Sequence, residues 1–174
     1  MPKTVLAKTS ELAWILLEKN GVSPLPIFRA AHIDPKMMRD MNARYSQATL
    51  IDLWSRTAEA IDDPDFGLQA GEVWHPAFMH ALGYAWMSSS SLRTALQRLV
   101  RYIHIVNQSS QVEISETEDQ LTLTWKNIGF ETDTPWISDI RISMLLAMCR
   151  ANFGTDLNPI SVSLFRQAPP KTGR

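Results

Sequence analysis

The sequence contains a single cysteine, Cys149, among 174 residues. An intramolecular disulfide is therefore impossible, and a zinc site built from several cysteines is excluded. This cysteine usage is typical of proteins in a reducing cytosol. Cys149 stands beside Leu145, Leu146 and Met148 on an apolar helix face, which predicts a small buried side chain rather than a reactive thiol.

An excess of positive charge is also missing. Seventeen basic residues stand against 18 acidic ones, for a formal net charge of −1, whereas nucleic-acid-binding domains are usually basic because they neutralise phosphates. The segment 11–38 resembles a helix-turn-helix, but its second helix, near 26–33, offers only Arg29 to contact base edges. We therefore interpret this segment as helices that pack in the core.

Targeting and membrane segments are not evident. The first residues, Met1-Pro2-Lys3-Thr4, are not followed by the apolar run and small-residue cleavage site of a secretory signal. No apolar stretch is long and uninterrupted enough to span a bilayer. We expect a cytoplasmic protein with no membrane partner.

Catalytic signatures are lacking as well. The seven glycines are scattered, and they form neither a G-x-S-x-G elbow nor a phosphate-binding loop. His75 and His80 are separated by Pro76 and do not have the i, i+4 spacing of a shared helix face, so a metal site there would need carboxylates from elsewhere. We expect no catalytic residue, no metal and no cofactor, and hence no enzyme.

What the sequence does contain is apolar periodicity, in a chain that is 45% hydrophobic and so can form the core of one domain. Helical spacing comes first along the chain, period-two alternation follows, and a long helix comes near the end. Ser46 and Ser90 are predicted as N-caps, and Asp34-Pro35 as a cap followed by a first-turn proline. The predicted helices lie at about 4–20, 27–31, 35–41, 47–61, 65–74, 77–87, 91–105 and 135–153.

The strands are predicted from alternation. Residues 110–127 alternate around the acidic turn 116–119, which indicates an antiparallel hairpin with one buried face. A last alternating strand is predicted at about 160–166. The fold class is therefore α+β, with several N-terminal helices packed on a small antiparallel sheet. We expect a single domain at 1–167, and a linker at 168–174.

Gly83 lies inside the predicted helix 77–87. A glycine in a helix interior costs about 1 kcal/mol relative to alanine. Its presence there predicts that another element approaches the helix closely.

Several segments, in this order and spacing, resemble a known module. The sequence is similar to the N-terminal, arabinose-binding-type domain of AraC-type bacterial transcription regulators, over about residues 10–167. Leading helices come before these segments and a hairpin follows them. The segments are Asp63-Pro64-Asp65-Phe66-Gly67-Leu68, Leu82-Gly83-Tyr84-Ala85, the serine cluster 88–91, and the run from Leu92 through Ala95-Leu96 to Arg101-Tyr102.

The resemblance implies a cytoplasmic transcription factor that senses a small-molecule effector, forms homodimers and contacts DNA through a C-terminal helix-turn-helix domain. That DNA-binding domain is expected after this chain, which does not contain it. Arabinose itself does not follow from the resemblance, since no sugar-specific set of residues is evident. A pure dimerisation module without a ligand is the alternative.

Five residues are candidates for contacting the effector. Tyr84 and Trp86 lie on the predicted helix 77–87, Trp125 on the hairpin, and Trp136 and Arg141 near the start of the long helix. Aromatic faces can enclose an apolar ligand, and an arginine can hold a carboxylate through two hydrogen bonds. The alternative for each is core packing or, for Arg141, a structural ion pair.

The predicted helix 91–105 carries a second group of basic residues, Arg93, Arg98 and Arg101. They are candidates for binding an anionic effector or pairing with an acidic patch, and the simpler interpretation is a solvated helix face.

Overall fold

The computed structural model describes residues 2–129 and 134–164, except for the side chain of Pro135. The described elements include six α-helices, four short strands and several 3₁₀ turns. In chain order the strands and α-helices are β1 (Thr4–Leu6), α1 (Glu11–Lys19), α2 (Pro24–Ala30), β2 (Arg44–Ser46), α3 (Gln47–Ile61), α4 (Ala81–Met87), α5 (Leu92–Val106), β3 (Ser110–Glu116), β4 (Leu121–Asn127) and α6 (Pro135–Phe153). The 3₁₀ turns are Ala7–Ser10, Pro35–Arg39, Phe66–Gly71 and Pro76–Met79.

The hairpin and the long helix have the bounds that the sequence predicts. β3 pairs antiparallel with β4, with Val112 opposite Trp125 and Ile114 opposite Leu123. These four side chains share one face, because side chains two apart in a strand point the same way. That face packs against α5 and the end of α6. The α+β fold class is confirmed.

The first strand is a departure from the prediction. Residues 4–20 were expected to be one helix, but Thr4–Leu6 form β1, which pairs antiparallel with β2, Val5 lying opposite Tyr45. Val5 also forms a bridge with Asn107 at the end of α5. Helix α1 begins only at Glu11. A strand of three residues is too short for its period-two alternation to be recognised in the sequence.

The predicted strand at about 160–166 is wrong for its described part. Residues 160–164 adopt no regular structure, and 165–166 lie outside the described residues. Ile160 is 85% exposed and Val162 46% exposed. Alternation of apolar residues predicts a strand only when one face is buried, and these side chains bury none.

The helix caps follow the predictions with one shift. Ser46 Oγ accepts a hydrogen bond from Thr49 N at 3.1 Å, and Asp34 Oδ1 accepts one from Lys36 N at 2.9 Å. Helix α5 is capped by Ser91, whose Oγ accepts from Thr94 N at 3.2 Å, and not by Ser90. In a run of four serines, the sequence alone gives no reason to prefer one residue over the next.

Three apolar clusters make up the core, and α6 contributes to two of them. One cluster joins α4, α5 and the hairpin to Met148 and Cys149. The second joins α1, α2 and α3. The third joins α1 and the turn Phe66–Gly71 to Trp136 and Ile140 at the start of α6. Helix α6 therefore holds the hairpin half to the N-terminal helices.

Two glycines mark places where backbones meet. A Cβ on Gly83 would lie 1.9 Å from the carbonyl oxygen of Pro76, so α4 and the 3₁₀ turn Pro76–Met79 touch through their backbones. The predicted close approach at Gly83 is confirmed. A Cβ on Gly67 would lie 2.9 Å from the Cβ of Asp139, so the turn Phe66–Gly71 packs directly on α6.

Candidate ligand-binding site

A cavity of about 170 Å³ lies where α3, α5, α6 and the hairpin converge. Its volume is close to that of apolar protein cavities that hold one benzene ring, about 150 Å³. Most of its lining is hydrophobic. The apolar lining residues are Val5, Leu12, Leu50, Ile51, Trp54, Phe78, Met79, Ile103, Val106, Trp125, Trp136, Ile137, Ile140, Met144, Leu145 and Met148, and the polar ones are Thr9, Gln47, Asn107, Ser110 and Arg141.

Tryptophan forms part of the wall. Trp54 of α3 and Trp136 of α6 are stacked, with ring centroids 6.0 Å apart and planes inclined by 28°. Trp136 sits in the first turn of α6, while Trp54 belongs to the apolar face of α3. The two helices therefore contribute two adjacent indole rings to the wall, which suits an apolar or aromatic ligand.

Arg141 is the charged residue of the lining. Its Nη2 donates to Asn127 Oδ1 at 2.7 Å, and its guanidinium carbon lies 5.4 Å from the ring centroid of Trp125. Burial lowers the pKa of Arg141 to about 10. At neutral pH the protonated form still exceeds the neutral one by roughly a thousandfold, so the cavity contains a positive charge.

This charge has no acidic partner within the described chain. Among residues 2–129 and 134–164, the ion pairs are formed by other side chains, and none includes Arg141. Its contacts are a neutral amide and an aromatic ring. The structural ion pair considered for Arg141 is therefore not found in this part of the molecule.

Two further polar atoms of the lining lack partners. Trp125 Nε1 and Gln47 Oε1 are buried, and neither forms a hydrogen bond with any described residue. The indole N–H is a donor and the amide oxygen an acceptor. A buried polar group left without a partner costs about 1–3 kcal/mol, so both atoms favour a ligand or water molecule that would satisfy them.

The structure brings together three of the five predicted site residues. Trp125, Trp136 and Arg141 all line the cavity. Trp86 does not: it is fully buried in the cluster of α4, α5 and the hairpin, and its Nε1 donates to Met148 O at 3.0 Å. Tyr84 is 56% exposed and also lies away from the cavity.

Sequence reasoning missed Gln47 and Trp54 as lining residues. Trp54 belongs to the apolar face of α3, and that face is shared between the core and the cavity. Gln47 is the first residue of α3, and a single glutamine after an N-cap carries no signal of its own. Its role depends on which element lies opposite, which the sequence does not reveal.

The three arginines of α5 have local partners. Arg93 pairs with Glu116 of the hairpin, Arg98 donates to Ser89 Oγ at 2.9 Å, and Arg101 lies over the ring of Tyr102 at 5.4 Å. None of them lines the cavity. These contacts favour a structural role, in which the arginines bind α5 to neighbouring segments or pack along its surface.

Other candidate groups have structural roles. His75 Nδ1 accepts a hydrogen bond from Ala77 N at 3.2 Å, and within the described ranges no cluster of three or more His, Cys, Asp or Glu is placed to hold a metal. Cys149 is buried as predicted, and burial raises the pKa of its thiol to about 11. None of the helices in residues 2–129 and 134–164 has the length and apolarity to cross a membrane.

The fold and cavity define a class, an α+β domain of helices on small antiparallel sheets around a largely apolar cavity. The chain belongs to the family described as the arabinose-binding domain of AraC transcription regulators, N-terminal, which matches residues 21–174. The resemblance inferred from the sequence motifs is thereby confirmed.

Two curated relatives are regulators by name. The chain is 27% identical over 99 residues to an ornithine utilization regulator of Pseudomonas aeruginosa. It is 23% identical over 122 residues to the HTH-type transcriptional regulator VirS of Mycobacterium tuberculosis. The alignments cover 57% and 70% of this chain but only 29% and 35% of the relatives. The chain thus spans about a third of the length of the relatives it matches.

Proposed function

We propose that this chain is the effector-sensing part of an AraC-type regulator and that its cavity binds a small molecule. The observation that carries the proposal is the cavity itself, which combines a largely apolar wall with a cation and two unpartnered polar atoms. Ligand sites are commonly apolar with a few convergent polar groups. The side chains around these groups do not suggest catalysis. We therefore propose that the site binds its ligand without transforming it.

The proposed mechanism is a shift between conformations. The cavity lies between α3, α5, α6 and the hairpin, so a bound ligand contacts both halves of the domain. If it binds one arrangement of these elements more tightly, it favours that arrangement by the difference in binding free energy. In this mechanism, the difference in binding free energy between the two arrangements is the one property of the ligand that signalling requires.

DNA binding is proposed to belong to a separate C-terminal domain. The relatives support this proposal. One of them is named as an HTH-type regulator, and the matched segment makes up about a third of the relatives' length. Homodimerisation, which the resemblance implies, is part of the same proposal. Analytical ultracentrifugation of the chain is expected to show self-association, and a monomer at all concentrations would remove that part.

Filling the cavity tests the sensing role. Ile51 lines the cavity from α3 and is only partly buried, so Ile51→Trp is expected to occupy ligand space while the fold is retained. The measurement is a thermal-shift screen with a library of small acids, amides and alcohols. A compound at 100 times its Kd stabilises by about 2.7 kcal/mol, or about 5–10 °C for a chain of this size, and this shift is expected to vanish in Ile51→Trp.

The matched control is Ile105→Trp, the same change at a site on α5 that is 52% exposed. It is expected to keep the full shift. Compounds that stabilise both variants as strongly as the original chain would bind elsewhere. That outcome, or a screen without any stabilising compound, would contradict a sensing cavity and favour a pure dimerisation module.

A further inference from the structure

The charge and size of the cavity together restrict what fits it. We infer that its ligand is a small organic monocarboxylate, with an apolar body of about one ring or a short alkyl chain, held through its carboxylate by Arg141. The inference rests on the proposed function and names the chemical class of the effector.

Arg141 is a cation with no acidic partner among residues 2–129 and 134–164. Arg141 lines a mostly apolar cavity and has Asn127 and Trp125, both neutral, as its contacts. A buried charge is costly unless it is paired. A ligand that brings one negative charge would supply the partner that the described residues do not.

Arg141 also has unused hydrogen-bond donors. A guanidinium has five N–H donors in a planar fork, and Arg141 spends one of them on Asn127. The others have no partner in the described chain, so a carboxylate can accept two parallel hydrogen bonds from the same group. Trp125 Nε1, on the ring that the guanidinium lies over, is a further donor with no hydrogen-bond partner among the described residues.

The apolar part of the cavity wall restricts the rest of the ligand. Apart from the few polar groups, the wall is formed by side chains such as Phe78, Ile137 and the stacked pair of Trp54 and Trp136. An apolar body gains by leaving water for such a surface. A sugar would bury several hydroxyls in a cavity whose lining is mostly apolar and has few polar side chains to bond them, which is unfavourable.

The space available favours a small ligand. About 170 Å³ suits one ring or a short chain, by comparison with cavities of about 150 Å³ that bind benzene. A single arginine matches a single negative charge, whereas a phosphate ester would bring up to two. Monocarboxylates are therefore favoured over sugars and phosphate esters.

The experiment compares acids with neutral analogues of the same shape. Benzoate, phenylacetate, 3-phenylpropionate, hexanoate and octanoate are titrated calorimetrically into the chain, each beside its primary amide, with L-arabinose and phenyl phosphate as further probes. At least one acid is expected to bind at least tenfold more tightly than its amide. Arabinose and phenyl phosphate are expected to bind more weakly than that acid.

Variants assign the preference to the residue. Arg141→Met is expected to weaken binding of the acid at least tenfold and to remove the preference over the amide. Arg93→Met, which removes an arginine on the exposed surface of α5, is expected to leave both unchanged. The melting temperature of Arg141→Met is expected to equal or exceed that of the original chain, because methionine removes a partly buried charge that has no acidic partner among the described residues.

Different failures have different meanings. Equal binding of acid and amide, or binding of neutral compounds alone, would overturn the carboxylate class and leave the sensing function intact. Failure of all these probes would also overturn the class, and the library screen with Ile51→Trp would then decide the sensing function. A large fall in the melting temperature of Arg141→Met would show a structural arginine and overturn the inference.

Discussion

Replacing Gly83 with alanine is expected to destabilise the protein by at least about 3 kcal/mol, toward the upper end of the cost of overpacking. The added Cβ would lie 1.9 Å from the carbonyl oxygen of Pro76, a distance that no side-chain rotation can relieve. In an unobstructed helix the same change would stabilise by about 1 kcal/mol. The close contact therefore reverses the sign of the effect. Urea denaturation followed by circular dichroism measures it.

A control at another glycine separates crowding from backbone effects. Gly21 has a φ of +73° and no atom within 4 Å of an added Cβ. Gly21→Ala is therefore expected to cost only the strain of a left-handed residue, roughly 1–2 kcal/mol. If Gly83→Ala proves no more costly than Gly21→Ala, then α4 and the turn Pro76–Met79 do not pack as described.

Trp86→Ala is expected to destabilise by about 3–5 kcal/mol, the usual cost of truncating a buried tryptophan. The indole is fully buried, its ring lies 6.3 Å from that of Phe153 in an edge-on contact, and its N–H bonds to Met148 O. The substitution leaves a void between α4 and α6. The free energy of unfolding in urea is the appropriate measurement.

Tyr84→Ala provides the comparison on the same helix. Because Tyr84 is mostly exposed, its truncation is expected to change stability by no more than about 0.5 kcal/mol. Neither variant is expected to alter ligand affinity once the protein is folded, since neither residue lines the cavity. A folded Trp86→Ala protein of nearly original stability that had lost ligand binding would instead place Trp86 in the site.

The elements predicted best are those with the strongest periodicity. Helix α5 keeps its apolar residues on one side over 15 residues, and the hairpin alternates on both sides of an acidic turn. Short elements were less predictable: β1 has three residues and exists because β2 lies beside it. The segment 160–164 shows the reverse case, in which alternation occurs without a partner to pair with.

The site could be predicted only in part, for a similar reason. Trp125, Trp136 and Arg141 were selected by residue type and by position near element ends, and α6 and the hairpin do bring them to one cavity. Tyr84 and Trp86 met the same criteria but lie on a helix that faces the core on one side and solvent on the other. Which aromatic residues face a cavity is decided by packing between elements, and periodicity does not contain that information.

The backbone contacts at Gly67 and Gly83 bear on how such regulators can diversify. These glycines belong to two of the four segments by which the chain resembles its family, 63–68 and 82–85, and no residue of either segment lines the cavity. Gly67 lets the turn Phe66–Gly71 pack on α6, and Gly83 lets α4 pack on the turn Pro76–Met79. Gln47, Trp125 and Arg141, by contrast, lie outside both segments. Under the proposed function, the frame and the ligand specificity are encoded at separate positions. Substitutions at the cavity positions would then change which ligand is bound, while the backbone contacts at Gly67 and Gly83 stay the same.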